Sequence, residues 1–134
     1  VAIPSRQKKT FERYLHRWQA RLGLQGWKIE LHLYEGEILP PSASDSERAA
    51  GQFYAWTQER RAEVHIAVGQ PTANPEEIML HELLHILLSD IRDGLDRLKG
   101  IVSADVHGMA RGEHLDAEEV AVHRLTRAFM EDAN

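Results

Sequence analysis

Over residues 5–22 the apolar side chains Phe11, Tyr14, Leu15, Trp18 and Leu22 recur at three- and four-residue steps, and Gly23 follows. That spacing predicts an amphipathic helix ended by the glycine. The period then changes. Trp27-Lys28-Ile29-Glu30-Leu31-His32-Leu33 alternates apolar and polar, which predicts a half-buried strand. Residues 52–56 and 62–68 are two further strand candidates, with 57–61 suited to a hairpin connection. In the last of these, Val64, Ile66 and Val68 share one face while Glu63, His65 and Ala67 share the other. Residues 36–50, with Pro40-Pro41-Ser42 and Ser44-Asp45-Ser46, read as a mobile surface loop.

Asn74-Pro75-Glu76-Glu77 is a strong helix start: an N-cap, a proline at the first helical position, and carboxylates at the positive helix end. The helix predicted from there to about residue 90 is apolar nearly all round, so it is expected to be buried on most faces. Residues 91–113 carry Gly94, Gly100, Gly108 and Gly112 and read as short helical pieces and loops; residues 115–130 read as a final helix. Helix, then strands, then helices argues α+β. The expected architecture is one domain over residues 1–134. It has an N-terminal helix, a small and mostly antiparallel sheet, a buried central helix and a C-terminal helix.

With 134 residues, 43% of them hydrophobic, the chain can bury a single real core. No apolar run reaches the roughly 18 residues needed to cross a bilayer, so no membrane association is expected. The first residues lack a signal-peptide apolar core. There is no cysteine. Disulfides, thiolate zinc clusters and cysteine nucleophiles are therefore excluded, a cytoplasmic location is favoured, and any metal must be held by His, Asp or Glu.

The 8 histidines make their placement the main question. His81-Glu82-Leu83-Leu84-His85 lies in the middle of the predicted buried helix. Two histidines four apart project from one face and can converge on one Zn2+ per chain. Glu82 between them stands where it can deprotonate a water, as a general base. Burying these groups without a metal would be costly. Two histidines need a third ligand. On the final helix Ala121, Val122, Leu125, Ala128 and Phe129 form an apolar stripe with Glu118 at its centre, and a carboxylate there needs a partner. Glu118 is the expected third ligand, with Glu119 or His107 as the fallback. His107, His114 and His123 are candidates for stabilising the transition state; His16, His32 and His65 read as structural or exposed.

This motif, followed by a helix opening Glu118-Glu119-Val120-Ala121, resembles the compact zincin metallopeptidases of the gluzincin kind. It is similar to the ImmA/IrrE-type proteins and the small zincins of phage and prophage genomes. In those families the ligand glutamate is followed by alanine three residues on and by apolar residues near seven and ten. Ala121, Leu125 and Ala128 match when counted from Glu118. The resemblance implies a peptidase acting on a peptide or protein, with Glu63, Val64, His65 and Ile66 in a strand whose edge pairs with extended substrate. A second resemblance, to the SprT-like family, rests on His107-Gly108 and a third histidine ligand. The chain has no recognisable helix-turn-helix, so regulation of a repressor is not expected. The alternatives are a latent or non-catalytic zincin-fold binding or assembly module, and a nucleic-acid-associated protease of the SprT-like kind.

Lys9, Arg13, Arg17 and Arg21 fall at four-residue steps on the first helix, opposite its apolar stripe. That basic stripe is a solvated face or a docking surface for nucleic acid or an acidic partner, and aromatic residues for base stacking are not clustered on it.

Overall fold

The chain is seen here as a computed structural model that describes residues 3–35, 51–68, 74–97 and 99–133. The predicted 36–50 loop lies outside them. Helix α1, Ser5–Arg21, buries Phe11, Leu15 and Trp18. It stops where Gly23 takes a left-handed φ of 71°, a conformation that costs glycine nothing. The strands are β1, Lys28–Tyr34, β2, Gly51–Trp56, and β3, Arg61–Ala67.

The short turn after Trp56 makes β2 and β3 an antiparallel hairpin, as expected. The sheet order is β1-β3-β2, and β1 runs parallel to β3, with His32 opposite His65 and Leu31 opposite Val64. The expectation of a mostly antiparallel sheet is therefore corrected: one pairing is parallel and one antiparallel. The edge expected at Glu63, Val64, His65 and Ile66 is corrected too. β3 is the central strand, its backbone groups paired on both sides, and among the described residues β2 is an outer strand. Alternation tells which face of a strand is buried, but carries no information about strand order.

Helix α2, Pro75–Leu87, crosses the inner face of the sheet. Its N-cap is Asn74, whose Oδ1 accepts from the backbone N–H of Glu76 at 3.0 Å and of Glu77 at 3.4 Å. Met79, Leu80, Leu83, Leu84 and Ile86 are fully enclosed between α1, the sheet faces of Ala62, Val64 and Ile66, and Val122. Trp18 donates its indole N–H to Glu76 Oε1 at 2.9 Å, tying α1 to the first turn of α2. Helix α3, Ser89–Asp96, continues beyond α2. Helix α4, Ala104–Ala133, is longer than its pattern predicted, running through Gly108 and Gly112. Single glycines in a long helix cost only about 1 kcal/mol each, which tertiary contact with α2 and α3 offsets. Its buried face is Glu118, Val122 and Thr126, with Leu125 of the expected stripe turned outward at 37% exposure. Among the described residues no helix is long and apolar enough to cross a membrane.

Candidate metal centre

His81 and His85 occupy successive turns of α2, so their rings share a side of the helix, with centroids 5.0 Å apart. The Nε2 atoms of both face one carboxylate on α4. His81 Nε2 lies 3.2 Å from Glu119 Oε1, and His85 Nε2 lies 3.1 Å from Glu119 Oε2. His123, one turn further along α4, brings its Nε2 to 3.3 Å from Glu119 Oε1. His81, Glu119 and His123 thereby offer one ligand atom each within 4.8 Å of one another.

Glu118, the third ligand expected from the sequence, is on the other side of the His85 ring. Its Oε2 accepts from His85 Nδ1 at 2.6 Å and from an Arg92 guanidinium N–H at 2.5 Å, and its Oε1 accepts from His114 Nε2 at 3.2 Å. The Glu118 side chain is 1% exposed and does not line the cleft, whereas Glu119 does. An ionised carboxylate can only accept, so Glu118 fixes the proton of His85 on Nδ1 and leaves Nε2 to face the cleft. Burial alone would raise the Glu118 pKa, but the His85 hydrogen bond and the Arg92 charge outweigh it and hold it below the ordinary value.

The remaining titrations follow from the same packing. Burial, with the neighbouring His85, lowers His81 to about 4 and leaves it neutral with a lone pair to give. For His85 burial works downward, but the Glu118 hydrogen bond and the charges of Glu82 and Glu119 prevail and raise it. A proton or a metal ion is what the His85 Nε2 position favours between an imidazole and a carboxylate. Glu82, 6% exposed, is pushed up to about 7 mainly by burial. His85 meets the other oxygen of Glu119 and stands outside the 4.8 Å group of His81, Glu119 and His123, but two imidazoles with a carboxylate are donors that fit zinc.

A cleft of about 600 Å³ opens beside these groups, walled by β2 on one side and α2 on the other. Phe53 of β2 stacks on His85 at 5.0 Å with an interplanar angle of 6°. Gly51 lets β2 pass so close to α2 that a Cβ there would lie 2.9 Å from Ile78 Cγ2 and 3.1 Å from Glu82 Cγ.

The other sequence candidates divide. His114 reaches the site through Glu118, and His123 reaches it through Glu119. His107 is remote from it, its Nε2 3.6 Å from Asp96 Oδ1. Of the basic stripe, Arg17 is engaged with Glu76 at 2.6 Å, and Arg21 lies over the Trp18 ring. Sequence reasoning missed Arg92, Gly51 and Phe53. Arg92 belongs to α3, in a stretch whose periodicity gave no signal for it. No family model matches the chain, and no curated protein or solved structure matches it either.

Proposed function

We propose that this chain is a zinc-dependent peptidase of the zincin kind, with His81, His85 and Glu119 as the metal ligands and Glu82 as general base. The observation that carries the reading is the convergence of the two Nε2 atoms on Glu119, beside a buried Glu82 and an open cleft. Zinc bound there would polarise a peptide carbonyl and bring the pKa of water near neutral. Burial raises the pKa of the Glu82 carboxylate toward neutrality in the metal-free chain, and a carboxylate at that place can take a proton from water and return it to the leaving amine. Glu118 and Arg92 hold the His85 ring in its orientation and tautomer. β2 lines the cleft, so an extended substrate bound there would run alongside it.

A second reading is favoured by His123. Its approach to Glu119 offers a fourth protein ligand, and four ligands close a zinc site and make it structural. The chain would then be a binding module rather than a peptidase.

The test is cleavage of a fluorogenic peptide mixture by zinc-loaded protein, with Glu82→Gln, Glu119→Gln and His123→Ala beside it. A peptidase loses about 10²–10⁴-fold in rate with Glu82→Gln while keeping its zinc. It also keeps zinc in His123→Ala. Zinc retention without cleavage, together with loss of zinc in His123→Ala, establishes the closed site. Cleavage unchanged in Glu82→Gln overturns the catalytic assignment.

A further inference from the structure

The outer face of the sheet, turned away from α2, carries a second convergence of ligating side chains. Because β1 and β3 are parallel and in the register that sets His32 opposite His65, their rings stack at 4.5 Å with an interplanar angle of 7°. Both then reach toward Glu63, which sits two residues before His65 on the same side of β3. His65 Nε2 is 3.0 Å from Glu63 Oε1, and His32 Nε2 is 3.6 Å from the same oxygen. Glu30, opposite Glu63 in the ladder, places Oε2 3.5 Å from His32 Nε2.

We infer that His32, Glu63 and His65 form a second divalent-cation site, selective for zinc or a similar first-row metal, on the outer face of the sheet. Three observations carry it. One ligand atom from each of the three lies within 4.8 Å of the others. Donor atoms around a tetrahedral ion with bonds of about 2.0–2.1 Å stand about 3.3 Å apart, and the 3.0 and 3.6 Å separations straddle that value. The Nε2 atom of His32 is buried yet has no hydrogen-bond partner among the described residues, although two carboxylates flank it. A cation between these groups satisfies that nitrogen. It also sits between the carboxylates of Glu30 and Glu63, neighbours across the ladder, of which Glu63 has Arg61 at 4.0 Å on its other oxygen.

An imidazole gives its lone pair in the plane of the ring, so the half-exposed His32 ring turns out of the stack for both Nε2 atoms to take one ion, while His65 is the held partner. Tyr34 OH lies 2.6 Å from His65 Nδ1, which fixes the ring and directs Nε2 toward Glu63. The Tyr54 ring meets His65 edge-on at 5.3 Å. Two imidazoles with carboxylate select zinc, nickel or copper over magnesium or calcium. Bound there, the ion clamps β1 to β3.

The experiment is a zinc count by calorimetric titration and elemental analysis on the chelator-stripped full chain. The unmodified chain is compared with His32→Gln, with His81→Ala/His85→Ala, and with all three changes together. Two zinc ions per chain are expected. One is lost with His81→Ala/His85→Ala, and the other weakens more than tenfold with His32→Gln. His32 is half-exposed, so its substitution leaves the core intact, and circular dichroism checks the fold of every variant. Should the His81→Ala/His85→Ala protein not fold, a fall from two ions to one with His32→Gln alone carries the same information. A single ion lost with His32→Gln and kept in His81→Ala/His85→Ala supports this site and removes the peptidase reading instead. Unchanged zinc content and affinity in His32→Gln overturn the inference.

Discussion

Nδ1 of His85 donates to Glu118 Oε2 across 2.6 Å, while the Nε2 of the same ring faces Glu119 Oε2 at 3.1 Å. Two adjacent carboxylates of α4 therefore grip opposite nitrogens of one imidazole. Successive helix positions are 100° apart, which is how neighbours in sequence come to serve opposite edges of the ring. Loss of a direct ligand and loss of its support have different consequences. Glu119→Gln is expected to weaken cleft zinc affinity by more than about 100-fold, and Glu118→Gln by about 10–100-fold. Competition with a chromophoric chelator, in a His32→Gln background that leaves only the cleft ion, reads both. Equal loss in the two variants would show that α4 acts as a unit and that Glu119 has no special place.

Gly51 is where β2 passes close to Ile78 and Glu82 of α2. A methyl group there meets Ile78 Cγ2 at 2.9 Å and the Glu82 side chain at 3.1 and 3.2 Å. Since Glu82 is enclosed, the new Cβ moves either the carboxylate or the strand. Gly51→Ala is expected to lower kcat about 100-fold, the scale of an ångström-sized misplacement. The cost in stability should be about 1–3 kcal/mol. Zinc content should not change. Peptide-cleavage kinetics beside metal analysis measure the split; full activity would mean that Glu82 has room to shift without penalty.

Much of this arrangement is legible in the amino-acid sequence. The helical step of Phe11, Leu15 and Trp18, the cap residues at Asn74 and the His81–His85 spacing each rest on local signals, and each appears in the fold. Pairing partners are not local. The alternation of Ala62, Val64 and Ile66 marks their buried face, but nothing in it says that β1 lies alongside β3. Glu118 shows the same boundary. The stripe locates a buried carboxylate, and it is buried, but its charge is met by Arg92 from a stretch without clear periodicity. His32 and His65, which read as structural or exposed, become neighbours only through the parallel register.

Trp18 is 2% exposed and its indole N–H has Glu76 Oε1 as acceptor at 2.9 Å, with Arg17 donating to the same oxygen at 2.6 Å. Glu76→Ala leaves that N–H buried and unpaired, and is expected to cost about 1–3 kcal/mol. Glu76→Gln keeps a carbonyl acceptor and should recover most of the loss. Arg17→Ala removes the ion pair to Glu76 and the guanidinium's place over the Tyr14 ring, and should cost about 0–1 kcal/mol. Urea denaturation of the three variants gives the order directly. A cost for Arg17→Ala equal to that of Glu76→Ala would assign the contact to charge rather than to the indole.

Glu82 also makes the metal-free protein pH-sensitive in a direction opposite to that of a salt-bridged carboxylate. Burial, opposed by His85 and reinforced by Glu119, lifts its pKa from 4.5 to about 7. Between those values the folded chain holds a proton that the unfolded chain has released. Stability therefore falls as pH rises through this window and levels off above it. The full contribution is about 3 kcal/mol, at roughly 1.4 kcal/mol per unit. Glu82→Gln has no proton to lose. In chelator, the variant and the unmodified protein should be of similar stability near pH 4.5, and the variant should become the more stable by about 1–3 kcal/mol at pH 8. Urea melts across that range test the sign. Parallel curves for the two proteins would mean that Glu82 ionises as an ordinary carboxylate, and that its burial beside His81 and His85 does not poise it for proton transfer near neutrality.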